Sequence, residues 1–253
     1  MKVAISQPTY LPWLGYFDLI DQVETFVLLD TVQFEKRSWQ QRNRIKAQGG
    51  LSLLTVPVAV KGRFEQRIKD VEIESPYFVR KHLGSIETNY RRAPFFEKYF
   101  AELAGILEAC VAGTRLADLN IQLVKWLCRT LGVATPLVLA SEIPQEGTRS
   151  ELLLSICRKL KADSYLSALG SADYLLEDVH EFSAAGIEVL FQHYEHPTYR
   201  QQFPPFSSHT SAIDLIFNEG EGSLEILRSG RKAALHPAEV RLREKEKEEV
   251  AGA

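Results

Sequence analysis

The hydrophobic positions of this chain change period several times along its length. Residues 3–5 form a short apolar run after Lys2, broken by the polar group Gln7-Pro8-Thr9-Tyr10. The spacing then turns helical over 11–21, entered through Pro12, a residue that the first turn of a helix tolerates. A second apolar run, 25–29, ends in Asp30. Strand, helix and strand in that order predict a β-α-β unit. Runs at 51–58 and 68–73 predict two more strands, a hairpin around Lys61-Gly62-Arg63. From 76 to 131 the spacing is helical, in three segments at 77–89, 94–110 and 116–131. Pro76 and Pro94 stand at helix starts, and Gly132 stands where a C-cap is expected.

Alternation returns in the second half. Strands are predicted at 136–140, 164–167 and 186–194, the last leading into His196-Pro197-Thr198-Tyr199. Helices are predicted at 148–160, opened by a Thr148-x-x-Glu151 capping box, then as a short segment at 173–176, and at 211–218 after a loop rich in Phe, Pro and Ser. The order predicts an α/β protein, a mainly parallel sheet flanked by helices, with a helical insertion in the middle of the chain at 76–131. Residues 1–230 read as a single α/β domain. Residues 231–253, dense in Lys, Arg and Glu, read as a charged C-terminal tail, either a solvated terminal helix or a disordered extension.

Composition narrows the function classes. At 253 residues the chain can bury a sizeable core. A net charge of −3 argues against general binding to nucleic acid or an anionic membrane. No apolar run approaches the roughly 20 residues that span a bilayer, and the amino terminus starts in a strand pattern instead of a signal-peptide layout. The expectation is a cytoplasmic protein. Cys110, Cys128 and Cys157 are far apart in helical contexts, which suits buried, reduced thiols better than a disulfide frame or a zinc site.

In an open parallel sheet, ligands bind beyond the carboxyl ends of the strands. Gln7 and Asp30 stand at two such ends. Gln7 can bond a ligand through both amide groups, or can simply satisfy the turn before Pro8. Tyr10 and Tyr16 offer phenols or stacking faces, although a buried, satisfied tyrosine is the commoner case. Residues 35–46 carry Lys36, Arg37, Arg42, Arg44 and Lys46 against Glu35, punctuated by Trp39 and Asn43. Arginine forks recognise phosphate and carboxylate, so Lys36, Arg37 and Arg44 are the expected anion site. The plain alternative is a solvated basic face; an indole between the cations argues against it. His196, at a strand end before a proline, is the acid-base candidate. Asp214 shares a helical face with Asn218, and either orients His196, binds a substrate amine or caps the turn at Ser211. His193 and His196 would point to opposite faces of a strand, so no metal pair is expected. Gly-x-Ser-x-Gly, the P-loop and Gly-x-Gly-x-x-Gly are all absent from the sequence, so no ATP, NAD or other cofactor has motif support.

The ordered motifs Gln7-Pro8-x-Tyr10-x-Pro12-x-x-Gly15-Tyr16-Phe17, Asp30-x-x-Gln33-Phe34-x-Lys36-Arg37, Asn43-Arg44, Asn89-Tyr90, Tyr165-Leu166-Ser167, His196-Pro197-x-Tyr199-x-Gln201 and Ser211-x-x-Asp214-Leu215-x-Phe217-Asn218 closely resemble the WbqC-like family of bacterial proteins. The resemblance covers about residues 1–220. It adds Tyr199 and Gln201 to the substrate-binding candidates. It implies an enzyme associated with O-antigen, other surface-polysaccharide or natural-product biosynthesis. The implied reaction is cofactor-free group transfer, acyl or aminoacyl, to an amine such as that of an amino-sugar nucleotide. The implied partner is an anionic small-molecule substrate, a nucleotide sugar or a carrier-bound acyl group, with no nucleic acid and no membrane. Two alternatives stay open: a non-catalytic protein that binds a saccharide or carrier protein, and a divergent nucleotidyltransferase-like protein. Against the latter, Trp13-Leu14-Gly15-Tyr16 stands where such enzymes carry His-x-Gly-His. Thr31-Val32 departs from the acidic or polar residue that family members often carry beside the equivalent of Asp30.

Overall fold

A computed structural model describes the backbone of residues 1–251 and the side chains of residues 1–246. The chain starts with β1 (Lys2–Ser6), α1 (Leu14–Asp21) and β2 (Thr25–Leu28), then makes an antiparallel ribbon of β3 (Arg42–Ala47) and β4 (Gly50–Thr55). Three helices follow, α2 (Phe78–Tyr90), α3 (Phe96–Glu108) and α4 (Leu116–Leu131). Next come β5 (Leu137–Leu139), α5 (Arg149–Lys159), β6 (Ser164–Ser167), α6 (Ala172–Ala184) and β7 (Glu188–Phe191), and finally α7 (Ala212–Glu219), α8 (Ser223–Ser229) and α9 (Pro237–Ala251).

Five strands form one parallel sheet in the order β5-β2-β1-β6-β7. The chain winds outward from β1 in one direction through β2 and β5, then returns and winds the other way through β6 and β7. The order therefore reverses between β1 and β6, the place where doubly wound sheets open a ligand crevice. The pleat sorts the strand side chains into two cores. Val3, Ile5, Val27, Tyr165, Val189 and Phe191 face α5 and α6, whereas Ala4, Phe26, Leu28 and Leu166 face α1, α4, α7 and the inserted helices. The α/β class, the parallel sheet and the helical insertion agree with the sequence.

Five local expectations are corrected. The basic segment 35–46, to which the sequence assigns no strand, holds β3 in its second half, paired with β4 from Arg42↔Thr55 to Ala47↔Gly50. The strand hides in the sequence because one of its inward positions is polar: Asn43 is buried beside Ile45. The hairpin expected around Lys61-Gly62-Arg63 shrinks to a single bridge, Val58↔Ile73, and Ile68–Asp70 forms one 3-10 turn whose Ile68 is buried without belonging to a strand. Thr148 is the N-cap of α5 but makes no side-chain cap bond. The short helix at 173–176 continues to Ala184, carried by buried Phe182. The charged segment beyond 230 also starts inside the fold: Arg231 pairs with Asp18 and Asp21, Leu235 bridges Phe191, and Val240 is buried against α6 and β7. Residues 252 and 253 of that segment lie outside the described ones. Among the described residues no helix is long and apolar enough to cross a membrane.

Candidate functional site

Three segments, distant in sequence, are tied together over the carboxyl end of β1. The connection from Ser6 to Trp13 is gripped from the second segment: Tyr10 N donates to Trp39 O at 3.0 Å, and Gln40 Nε2 donates to Gln7 Oε1 at 2.8 Å. Asn43 Nδ2 donates to both Tyr10 O (3.1 Å) and Leu11 O (2.7 Å). That clamp holds Leu11 at a φ of +44°, a left-handed conformation that a leucine adopts only when its surroundings impose it. From below, Asn120 of α4 donates to Pro8 O and Gln40 O. The third segment closes the ring: Ser211 N donates to Arg44 O, and Ala212 N donates to Pro12 O, each at 2.8 Å.

These segments enclose a cavity of about 380 Å³ at the β1–β6 switch point. Its walls are Ser6 and Thr9 after β1, Trp13, Gly15, Tyr16 and Leu19 along α1 and its approach, Trp39, Asn43 and Arg44, Ala168 after β6, Gln192 after β7, and His209. Among the described residues no Asp or Glu lines it. The Arg44 guanidinium lies over the Trp39 ring at 5.0 Å and takes part in no ion pair among the described residues. A cation in a largely apolar, acid-free hollow favours an anionic ligand.

The Trp13 indole rests on Gly15; a Cβ added there would sit 2.2 Å from the ring. His209 stacks on the indole at 5.0 Å and 27°, and His196 at 6.2 Å and 13°. His196 is set behind this stack, off the cavity wall. Its Nδ1 donates to Pro197 O at 2.9 Å, so Nε2 carries the lone pair, buried and without a partner. Burial pushes the imidazole down to about 4, outweighing the pull of the Pro197 carbonyl, so the ring is neutral at pH 7.

Asp214 does not orient His196, as the sequence reading allowed. It is fully buried, with Oδ1 accepting from Tyr90 and Oδ2 from Tyr199 (2.7 Å), Gln201 (2.7 Å) and Thr210. Burial raises its pKa, and the four donors oppose that rise. Tyr199 and Gln201 belong to the same knot, which anchors the 199–211 loop. Gln201 Nε2 also bonds Ser207 O, and Lys46 Nζ reaches Pro205 O and Ser207 Oγ.

Of the other candidates, Tyr16, Trp39, Asn43 and Arg44 line the cavity. Gln7 lies beside it, accepting from Tyr16 through its carbonyl and from Gln40 through its side chain. Tyr10 points away, its hydroxyl 2.8 Å from His82 Nδ1 inside the helical insertion. Asp30 accepts from Ser141 N at 2.9 Å, fastening the end of β2. Lys36 sits over Phe64, and Arg37 is exposed on a turn with φ +60°; neither lines the cavity. The three cysteines are buried, and burial pushes Cys128 and Cys157 up to about 12, so neither is a nucleophile. Among the described residues no three His, Cys, Asp or Glu side chains gather as a metal site would need.

Eight wall residues were not among the candidates, and two of them, Gln192 and His209, bear most on the chemistry. Gln192 was concealed because the predicted strand ran on to 194, which hid its place at the strand end. His209 lies in a loop without periodicity. Gln192 is buried, and its Nε2 donates to Gly15 O (2.8 Å) and to Asp18 Oδ2 (2.7 Å). Asp18, itself fully buried, accepts in addition from Arg231 Nε and from Gln22. Burial raises its pKa, opposed first by the bond from Arg231.

In comparison with known proteins, the model of the WbqC-like protein family matches residues 7–226. A protein of Mycobacterium tuberculosis described as uncharacterized is 36% identical over 235 residues, which cover 91% of this chain and 99% of that protein. No solved structure matches.

Proposed function

The chain belongs to the WbqC-like protein family, and we propose that it is a group-transfer enzyme whose anionic small-molecule substrate sits in the crevice between β1 and β6. The observation that carries this reading is the Arg44 guanidinium, 5.0 Å from the Trp39 ring and without a carboxylate partner among the described residues, on the wall of a cavity that no described Asp or Glu lines. The reaction that suits it is acyl or aminoacyl transfer to an amine. The amine nitrogen bonds the acyl carbon, the bond from that carbon to its carrier breaks, and the amine proton passes to a base. The base this cavity offers is His209, in the tautomer whose Nδ1 donates to Ser208 Oγ at 2.8 Å and whose Nε2 holds the lone pair that takes the proton. His196 backs the Trp13 wall instead. Surface-polysaccharide or natural-product assembly is the setting in which such a transfer would serve.

The test is a thermal-unfolding screen of sugar nucleotides, acyl thioesters and amino acids, since a ligand that binds only the folded state raises the melting temperature. A stabilising anion whose effect vanishes in Arg44→Gln supports the reading; one whose effect survives Arg44→Gln places the site elsewhere. His209→Ala then separates catalysis from binding. Loss of turnover with affinity retained supports transfer, and unchanged turnover removes His209 from the chemistry.

A further inference from the structure

The polar wall opposite in character to Arg44 is Gln192, and its amide cannot turn over. Both hydrogens of Nε2 are engaged, one by Gly15 O and one by the Asp18 carboxylate. The reverse orientation would set Oε1 against those same two acceptors, which have no hydrogen to give. The arrangement is reinforced from outside the cavity. Asp18 is locked by Arg231 Nε at 2.8 Å and by Gln22 Nε2 at 2.6 Å, and Gly15 O belongs to the first turn of α1. Gln192 N also donates to Ser167 O, fixing the end of β7 to the end of β6. Oε1 is left over. It is not among the sealed, unpartnered polar atoms of the described residues, and among those residues no donor is assigned to it, although the residue is only 7% exposed and lines the cavity. An acceptor of fixed direction on the wall of a half-open hollow favours ligands that bring it a donor. A ligand without a donor at that point strips the oxygen of water and returns nothing.

We propose that Gln192 is the specificity-determining contact of this cavity, and that the ligand it selects together with Arg44 is an anion bearing a hydroxyl or amine, of which a sugar phosphate is the simplest case. Asp18 is a positioning residue that sets the direction of the Gln192 amide. The proposal rests on the anion-site reading above, and it narrows that site from anions in general to anions with a hydrogen-bond donor on a ring-sized body. The Trp39 indole, 46% exposed and with Arg44 over its ring, lines the same cavity beside that anion site.

The experiment compares three probes on the full chain by titration calorimetry: inorganic phosphate, glucosamine 1-phosphate and cyclohexyl phosphate. The last has the ring and the anion but no donor. The expected result is glucosamine 1-phosphate binding about tenfold more tightly than cyclohexyl phosphate, the scale of one well-made hydrogen bond. In Gln192→Leu that preference should collapse while phosphate affinity stays within twofold. Gln192→Glu should not restore the preference, because its second oxygen would be set against Gly15 O and the Asp18 carboxylate, which have no hydrogen to give. Equal binding of the two ring phosphates by the unaltered protein, or a preference that persists in Gln192→Leu, overturns the assignment of Gln192 and leaves the anion site standing. Failure of all three probes to bind overturns the anion site itself, and this inference with it. The comparison on the unaltered protein decides the matter even if Gln192→Leu does not fold.

Discussion

Gly15 and Trp13 make up the least forgiving contact of the cavity. The indole covers the glycine so closely that a methyl group would overlap three ring atoms, at 2.2, 2.3 and 2.8 Å. The ring cannot retreat freely, because His209 and His196 stack on it and Tyr194 meets it edge-on. Gly15→Ala should therefore cost about 1–3 kcal/mol, the usual penalty of overpacking, and should shift the tryptophan emission as the indole moves. Unchanged stability in urea would mean that the stack yields easily. The same neighbourhood sets a pH response. His196 and His82 are both held near 4 by burial, well below the ordinary histidine value near 6.5. Their folded pKa values are depressed, so the unfolded chain binds more protons between those limits. The stability they contribute is whole above about 6.5 and is lost as pH falls towards 4. Between about pH 7.5 and about pH 5 the loss should be roughly 3 kcal/mol for the pair, once water's access to His196 is discounted. Urea midpoints at the two pH values measure it. His82→Phe with His196→Phe should flatten the slope, and a slope that survives both changes assigns it to other groups.

At the scale of elements, a strand that pairs through a polar inward face proves as structural as an apolar helix. Helix α4 was legible residue by residue, because its apolar positions repeat with the helical period and Gly132 closes it at φ +81°. Strand β3 was not, since Arg42-Asn43-Arg44-Ile45-Lys46 reads as a solvated basic run; its inward face includes an amide that bonds backbone. The parts of the site carried on α1, on that ribbon and on the turn before it (Tyr16, Asn43, Arg44 and Trp39) stand in short, unusual sequence contexts and could be picked out. Gln192 and His209 could not, because their roles come from a meeting of distant segments that periodicity does not encode. Asn43 joins the two kinds of information. It clamps Tyr10 O and Leu11 O, and its Oδ1 accepts from Arg44 N, so one side chain fixes both the β1–α1 connection and the ribbon. Asn43→Ala leaves two buried carbonyls without donors, and should cost about 2–4 kcal/mol. It should also abolish anion binding, because Leu11 can then relax and Arg44 loses its seat. A variant that keeps both stability and binding would show that the clamp is redundant.

Over the whole molecule, the chain that leaves the sheet at β7 comes back beneath the cavity floor. Arg231 bonds Asp18 and Asp21, while Arg228 forks onto Asp21 with two bonds of 2.8 Å. The two arginines look alike in sequence but differ in setting. Asp18 has no access to water and Arg231 is partly covered, whereas the Arg228 side chain is half exposed. Removing the cation from a buried carboxylate strands its charge, a cost of about 3–5 kcal/mol in a fully buried pair; partial exposure of Arg231 trims this to about 2–3 kcal/mol. Arg231→Gln should therefore unfold at distinctly lower urea concentration, while Arg228→Gln should lose no more than about 1 kcal/mol. The same comparison reaches the site. Asp18 freed of Arg231 titrates more readily, and its protonated form no longer forces the Gln192 amide into one orientation, so Arg231→Gln should weaken discrimination between donor-bearing and donor-free ring phosphates while Arg228→Gln leaves it intact. Equal effects of the two substitutions on that ratio would mean that the floor supports the cavity only as packing. A larger effect of Arg231→Gln would tie the segment beyond β7 to what the crevice selects.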